Sequence, residues 1–146
     1  FELFNEIGII NQLATRMFER VLPGGMSLAQ FTVLNHFVRL GHSERSPAEL
    51  ASAFQVTRPT MSSTLARMEK SGLIVVRPDP SDGRGKRVSL TKDGLAMRDA
   101  CMAAASTLFP IIDGLMTKAE LDAILPPLAR LRKALDDMRN HAHQNS

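Results

Sequence analysis

Two short sets of side chains in this sequence are equipped for polar chemistry on an anionic surface. The first is Arg58, Thr60, Ser62, Ser63 and Arg67, hydroxyls and guanidiniums with Pro59 among them and no carboxylate before Glu69. The second is Arg84, Lys86 and Arg87, cations close to the acids Asp79 and Asp82. Hydroxyl and guanidinium groups carried on a helix can bond to base edges, threonine methyls can touch thymine, and cations can neutralise phosphates. No catalytic constellation competes with them. A glycine-rich phosphate loop, a serine nucleophile elbow and paired catalytic carboxylates cannot be assembled, and Asp136-Asp137 reads as a solvated helix face. Neither an enzyme nor a cofactor is expected.

The first set needs a helix to present it, and the surrounding residues supply two. Ser46 is suited to an N-cap, with Pro47 at the first helical position and Glu49 placed to return the capping bond, so a short helix is expected to run to about Phe54. Gln55-Val56-Thr57 turns the chain, and Thr57 can cap a second helix whose first turn tolerates Pro59. There Met61, Leu65 and Met68 recur at spacings of four and three, an apolar stripe that turns Arg58, Pro59, Thr60, Ser62, Ser63 and Arg67 away from the domain body. A helix-turn-helix places the N-terminal part of its second helix in the major groove. Taken alone, the pair also fits an ordinary helical hairpin with a solvated polar face.

The next segment argues against that plainer reading. Leu73 to Arg77 is a β-branched run and Lys86 to Leu90 alternates basic or polar with apolar residues, so the two are predicted to pair as strands. Between them, Asp82-Gly83 is a strong turn signal that places Arg84 at or beside the hairpin tip, with a glycine on each side. A basic hairpin directly after a recognition helix is a wing, and an arginine on its tip suits the negative potential of a narrow minor groove. Arg58, Thr60, Ser62 and Ser63 are therefore expected at base edges or the adjacent backbone, Arg67, Lys86 and Arg87 at phosphates, and Arg84 in the minor groove.

Four motifs in fixed order carry a resemblance: Thr57-Arg58-Pro59-Thr60-Met61-Ser62-Ser63, Ser71-Gly72-Leu73-Ile74-Val75-Val76-Arg77, Asp79-Pro80-Ser81-Asp82-Gly83-Arg84 and Val88-Ser89-Leu90-Thr91-Lys92-Asp93-Gly94. With helical stretches on both sides, they resemble the multiple antibiotic resistance regulator (MarR) family over almost the whole chain. The resemblance implies a mainly α (α+β) winged helix-turn-helix whose N- and C-terminal helices form a helical dimerisation region. Residues 1–25 would be the N-terminal dimerisation helix, 26–91 the DNA-binding domain with recognition helix 57–72 and wing 73–91, and 92–146 the C-terminal dimerisation helices. It also implies that Asp79 and Asp82 hold Arg84 and neighbouring arginines in place. A crevice for a small aromatic or amphipathic effector is implied as well. By position, Arg16, Met17, His36, Arg39 and Met97 border it, ordinary packing or solvation being the plainer reading of each.

The flanking stretches fit this layout. Leu3, Ile7, Ile10, Ala14, Met17 and Val21, widened by Phe4 and Phe18, form an amphipathic helix that stops at Pro23-Gly24-Gly25, and so wide an apolar face suggests a second surface to cover. Ser27 to Gln30 is a capping box opening a helix with Leu28, Phe31, Leu34 and Val38 as its core face, ending at Gly41. Thr91 should cap a long helix with Leu95, Met97, Cys101, Met102, Ala105 and Leu108, which Pro110 should kink or end. Thr117 to Glu120 opens the last helix, in which Pro126-Pro127 predicts a break or pronounced bend near Leu125. The tail from His141 is expected to fray.

Composition limits what remains. At 146 residues the chain is one domain, or one globular unit with helical extensions, and no uninterrupted apolar run approaches the span of a bilayer, so no membrane segment is expected. The chain opens on Phe1, and its natural start is expected to lie upstream. A lone cysteine, Cys101, excludes an intrachain disulfide, suits a reducing cytoplasm, and among apolar neighbours reads as an inert buried thiol rather than a redox sensor. His36, His42, His141 and His143 lack ligand spacing beyond the His-x-His of the tail, so no metal site is expected. Net charge is only +3, yet from Gln55 to Leu90 seven basic residues face three acidic ones, so the excess is concentrated on the proposed reading head. The sequence thus reads as a sequence-specific DNA-binding transcriptional regulator, a ligand-responsive repressor that grips a pseudo-palindromic operator in double-stranded DNA as a homodimer. The alternative is a winged-helix protein-interaction module whose basic surface meets an acidic partner.

Overall fold

The structure, a computed structural model, describes residues 1–144, and the backbone alone at residue 112 and residues 140–144. The His141 and His143 side chains fall outside the described residues, whereas the backbone of residues 141–144, expected to fray, continues the last helix. The chain forms two compact units, Phe1–Thr107 and Leu108–Ser146.

In the first unit, helix α1 (Glu2–Val21) leads through a 3-10 turn at Pro23–Gly25 to α2 (Leu28–Leu40), α3 (Pro47–Ala53), α4 (Arg58–Lys70), the hairpin β1 (Ile74–Asp79) and β2 (Asp82–Leu90), and α5 (Lys92–Ser106). Local caps set most of these boundaries. The Ser27 and Ser46 hydroxyls accept from the N–H groups of Gln30 and Glu49, whose side chains return the bond to the cap residue's own N–H. Thr57 and Thr91 accept from the N–H groups of Thr60 and Gly94. Each such cap contributes about 1 kcal/mol. Gly41, left-handed at φ 65°, closes α2. The Glu19 carboxylate accepts from the Leu28 N–H at 2.9 Å, which joins α1 to the start of α2.

The core gathers Leu34 and Phe37 of α2, Leu50 of α3, Met61, Leu65 and Met68 of α4, Ile74 and Val88 of the hairpin, and Cys101 of α5. Val38, expected inside, is exposed, and Phe37 takes the inward place. Steps of three and four both continue the stripe from Leu34, and the larger ring removes more apolar area from water. Cys101 is fully buried, and that burial pushes its thiol above the ordinary range, so it is a core side chain and not an available thiolate. The forward half of α1 contributes nothing to this core: Leu3, Phe4, Ile7, Ile10 and Leu13 are all exposed.

The second unit holds α6 (Phe109–Leu115) and α7 (Lys118–Gln144). The helix from Lys92 does end ahead of Pro110, which sits in the first turn of α6, where its missing N–H costs nothing. Residues 92–115 are apolar enough by composition to cross a bilayer. They are divided between α5 and α6, each short of the roughly 20 residues a spanning helix needs, and Cys101 lies in the core. Thr117 and Glu120 exchange the bonds of a capping box at the head of α7. The break expected near Leu125 is absent, for α7 runs through Pro126 and Pro127 as one helix. A proline ring holds φ near the helical value; what is lost is the N–H to the carbonyls of Asp122 and Ala123, and both residues are exposed, where water can satisfy them. Ile124, Leu125, Leu128, Leu135 and Met138 of α7 are exposed.

One close approach joins the hairpin to α5. A Cβ placed on Gly94 would lie 1.9 Å from the Leu73 carbonyl oxygen, which itself accepts from the Thr91 N–H at 3.1 Å. Gly94→Ala is expected to cost about 3 kcal/mol as this contact is forced apart, read as a lower urea midpoint than wild type.

Candidate nucleic-acid interface

Helix α4 is held by one face. Met61, Thr64, Leu65 and Met68 are buried, while Arg58, Pro59, Thr60, Ser62, Ser63 and Arg67 are exposed. The inward threonine is satisfied locally, its hydroxyl donating to the Thr60 carbonyl at 3.1 Å. Thr60 and Thr57 share a hydroxyl contact at 2.8 Å, so part of the bonding capacity of Thr60 is engaged within the cap. The turn that delivers the chain to α4 contains Gln55 in the left-handed region at φ 57°, with its amide donating to the Ser52 carbonyl at 2.9 Å. No glycine or asparagine marked that position in the sequence.

The hairpin differs from expectation at its tip. Partners run from Ile74 with Leu90 to Pro78 with Lys86, and then jump to Asp79 with Asp82. The turn is therefore Pro80-Ser81. Asp82-Gly83, expected to make it, lies within β2, and Gly83, Arg84 and Gly85 are extra residues bulging from that strand. The cause is the Asp79 side chain, whose Oδ1 accepts from both the N–H (2.9 Å) and the hydroxyl (2.7 Å) of Ser81 and so organises a tighter turn upstream. Asp82 Oδ1 then accepts from the Arg84 N–H at 3.1 Å and shapes the bulge. A Cβ on Gly85 would come within 2.9 Å of the Asp79 Cβ, so the chain needs glycine there.

The two wing acids divide their work. Asp82 holds Arg84 by its backbone, and Asp79 holds Arg87, whose Nε donates to Asp79 Oδ2 at 2.7 Å. The Ser81 hydroxyl and N–H, with Arg87 adding to them, keep the Asp79 carboxyl below its usual range although burial opposes this. The hairpin is tied to the body at two further points. Arg45 and Val88 exchange backbone bonds of 3.0 and 2.8 Å, and Glu69 of α4 accepts from the Val76 N–H at 3.2 Å.

As a result, the two sets of side chains meet. Arg58 and Ser62 of α4 and Arg84, Lys86 and Arg87 of the wing line one open groove of about 620 Å³, which Glu49, Asp79 and Asp82 also border. Arg67 lies elsewhere, on a cleft of about 480 Å³ with Lys70, Met26, Leu73 and Met97. Of the residues assigned to an effector crevice, Met97 is thus on a cleft, whereas Arg16 and Arg39 are exposed and Met17 is half-buried. His36 stands in a ring cluster, 5.1 Å from Phe54 and 5.7 Å from His42, and burial, then the positive neighbours His42, Arg39 and Arg45, lower its pKa from 6.5. Among the described residues, no group of three or more His, Cys, Asp or Glu side chains converges as a metal site would.

A recognition helix with an outward polar face, a preceding short helix and a basic antiparallel hairpin define a winged helix-turn-helix protein. A MarR family profile matches residues 24–85. The chain is 33% identical over 99 residues to the transcriptional repressor NicR of Pseudomonas putida, covering 68% of this chain and 61% of that protein's length. It is 32% identical over 108 residues to the multiple antibiotic resistance protein MarR of Salmonella typhimurium, covering 68% and 74%. Its fold matches, with a TM-score of 0.81 and 26% identity, a crystal structure of mutant Escherichia coli MarR with operator DNA, covering 90% and 94% of the two chains. The chain belongs to the MarR family, a family of transcriptional regulators and not of enzymes.

The turn chemistry makes a pH-dependent contribution. Because the folded chain depresses the Asp79 carboxyl below its ordinary 3.8, the ionised group stabilises the fold above that value, and the gain is lost as pH falls through the lower folded-state value. The difference in urea midpoint between wild type and Asp79→Asn is expected to be full at pH 7 and to close below about pH 4. A difference that grew on acidification would contradict this sign.

Proposed function

We propose that this chain regulates transcription by gripping a pseudo-palindromic operator in double-stranded DNA as a homodimer, and that it acts as a ligand-responsive repressor in the cytoplasm. The observation that carries this reading is the groove on which Arg58 and Ser62 of α4 face Arg84 and Lys86 of the wing. In the complex it would make, the front of α4 enters the major groove with Thr60, Ser62 and Ser63 at base edges or the adjoining backbone. Arg67 and Lys86 meet phosphates, and Arg84 reaches into the neighbouring minor groove. The operator complex of E. coli MarR supports the use of this fold on DNA, and the name of NicR supports repression.

Two apolar surfaces support the dimer. Leu3, Phe4, Ile7 and Ile10 on α1, and Ile124, Leu125, Leu128 and Leu135 on α7, are large apolar side chains left in water, the kind of surface that a partner covers. A two-fold axis relating two copies of the chain would set two recognition helices about 34 to 36 Å apart, one turn of duplex. An effector releases DNA only by preferring the arrangement unsuited to it; equal affinity for both arrangements shifts nothing. The cleft at Met97 offers such a molecule an apolar wall with two cations, Arg67 and Lys70, beside it.

Arg84→Ala is expected to weaken duplex binding by roughly 1 to 3 kcal/mol, and Lys86→Ala to lower the dependence of log affinity on log salt by about one. Titrations of each variant at several salt concentrations separate the two effects. Unchanged affinity in Arg84→Ala would remove the wing from the mechanism, and the absence of salt-dependent binding to random duplex would favour a protein-contact role instead.

A further inference from the structure

We infer that Glu49 is a positioning residue for the wing, fixing the approach of Arg84 through a chain of alternating charge that runs Arg45, Glu49, Arg87, Asp79. This rests on the DNA reading above and gives the α3 capping residue a second task within it. Arg45 Nη1 donates to Glu49 Oε1 at 3.1 Å, Arg87 Nη1 lies 3.7 Å from Glu49 Oε2, and Arg87 Nε donates to Asp79 Oδ2 at 2.7 Å. The links come from the loop after α2, from α3, from β2 and from β1, so the chain crosses from the helix-turn-helix to the hairpin.

Both ends are anchored. At the wing, the second Asp79 oxygen takes the N–H and hydroxyl of Ser81 and so fixes the turn. At the body, Arg45 exchanges two backbone bonds with Val88, and its Nη2 lies against the His42 ring. Two guanidiniums balance two carboxylates, so Arg87 has little net charge left for a phosphate and serves as a strut. Arg84 has no ion pair among the described residues, and its backbone is held by Asp82. From Asp79 the step to the tip is through the backbone, for Asp79 pairs with Asp82 across the turn and Asp82 holds the Arg84 N–H.

The pairs are individually weak. The Glu49 side chain is 45% exposed, so solvent screens it. Their effect is directional, for a wing free to swing must be ordered at the moment of binding, and a pre-set wing avoids that cost.

Glu49→Gln separates this task from the helix cap, because glutamine returns the capping bond to the Ser46 N–H while carrying no charge. By charge alone, removing an acid beside phosphates would tighten binding. The strut requires the opposite: a roughly three- to fivefold loss of affinity, as breaking a weak ion-pair network implies, for a duplex that wild type selects from a random pool. The salt slope should be unchanged, and the loss should vanish in an Arg84→Ala background, where no tip remains to be positioned. Arg87→Gln should likewise leave the slope unchanged, whereas a lost phosphate contact would lower it by about one. Equal or tighter binding by Glu49→Gln, or a loss that persists undiminished without Arg84, overturns the strut. Failure of wild type to bind any duplex overturns the DNA reading itself.

Discussion

Burial of Met61, Leu65 and Met68 decides which face of α4 looks outward, and every polar group of that helix proposed to meet DNA depends on that choice. Each such side chain contributes about 1.5 to 3 kcal/mol by leaving water. Turning the helix by one residue would expose part of this stripe and bury Ser62 or Arg58 without partners, a double penalty. The helix is thus locked in rotation by its apolar side, which leaves Arg58, Ser62, Ser63 and Arg67 facing outward, while the Thr60 hydroxyl is shared with the Thr57 cap. Connections at the far end of α4 extend the lock to the hairpin. The Thr91 hydroxyl accepts from Gly94 to cap α5 and donates to the Gly72 carbonyl at 2.7 Å, so the chain leaving α4 and the chain leaving the wing are pinned together.

The polar side follows a different logic. Where α4 keeps its groups free, the wing spends its acids: Asp79 and Asp82 organise a turn and a bulge, and only then do basic side chains stand clear of the strand. Arg84 is therefore displayed by backbone geometry, on a bulge whose close approach to Asp79 requires glycine at Gly85. Concentrating the positive excess on this head while the rest of the chain stays near neutral is what an encounter with a polyanion favours. The apolar faces of α1 and α7 are the contrasting feature, large side chains exposed in this chain and proposed above to be covered by a second copy.

How much of this was legible in the sequence follows from how local each feature is. Ser27, Ser46, Thr57 and Thr91 announced their helices because a cap and its partner lie three residues apart. The stripe of α4 was equally plain. The wing turn was not, because Asp82-Gly83 is the stronger dipeptide signal and the Asp79 side chain, with two bonds to Ser81, outweighed it. Phe37 and Val38 continue the α2 stripe equally well on paper, and only packing chose between them. Gln55 adopts a left-handed turn that no residue-type preference marks. In the interface, Arg58, Ser62, Arg84, Lys86 and Arg87 could be named from type and spacing, but their convergence on one groove, and the meeting of Glu49 with Arg87, join elements far apart in the chain. The residues assigned to an effector crevice rested on position alone, and of them only Met97 is found on a described cleft.

The most direct measurement is a hydroxyl-radical footprint of the protein on a duplex it has selected from a random pool. Two protected segments are expected, related by a dyad and about one helical turn apart, with flanking minor-groove protection where Arg84 reaches in. A single segment sized for one head, or no protection at saturating protein, would contradict a symmetric pair of winged helices straddling the duplex.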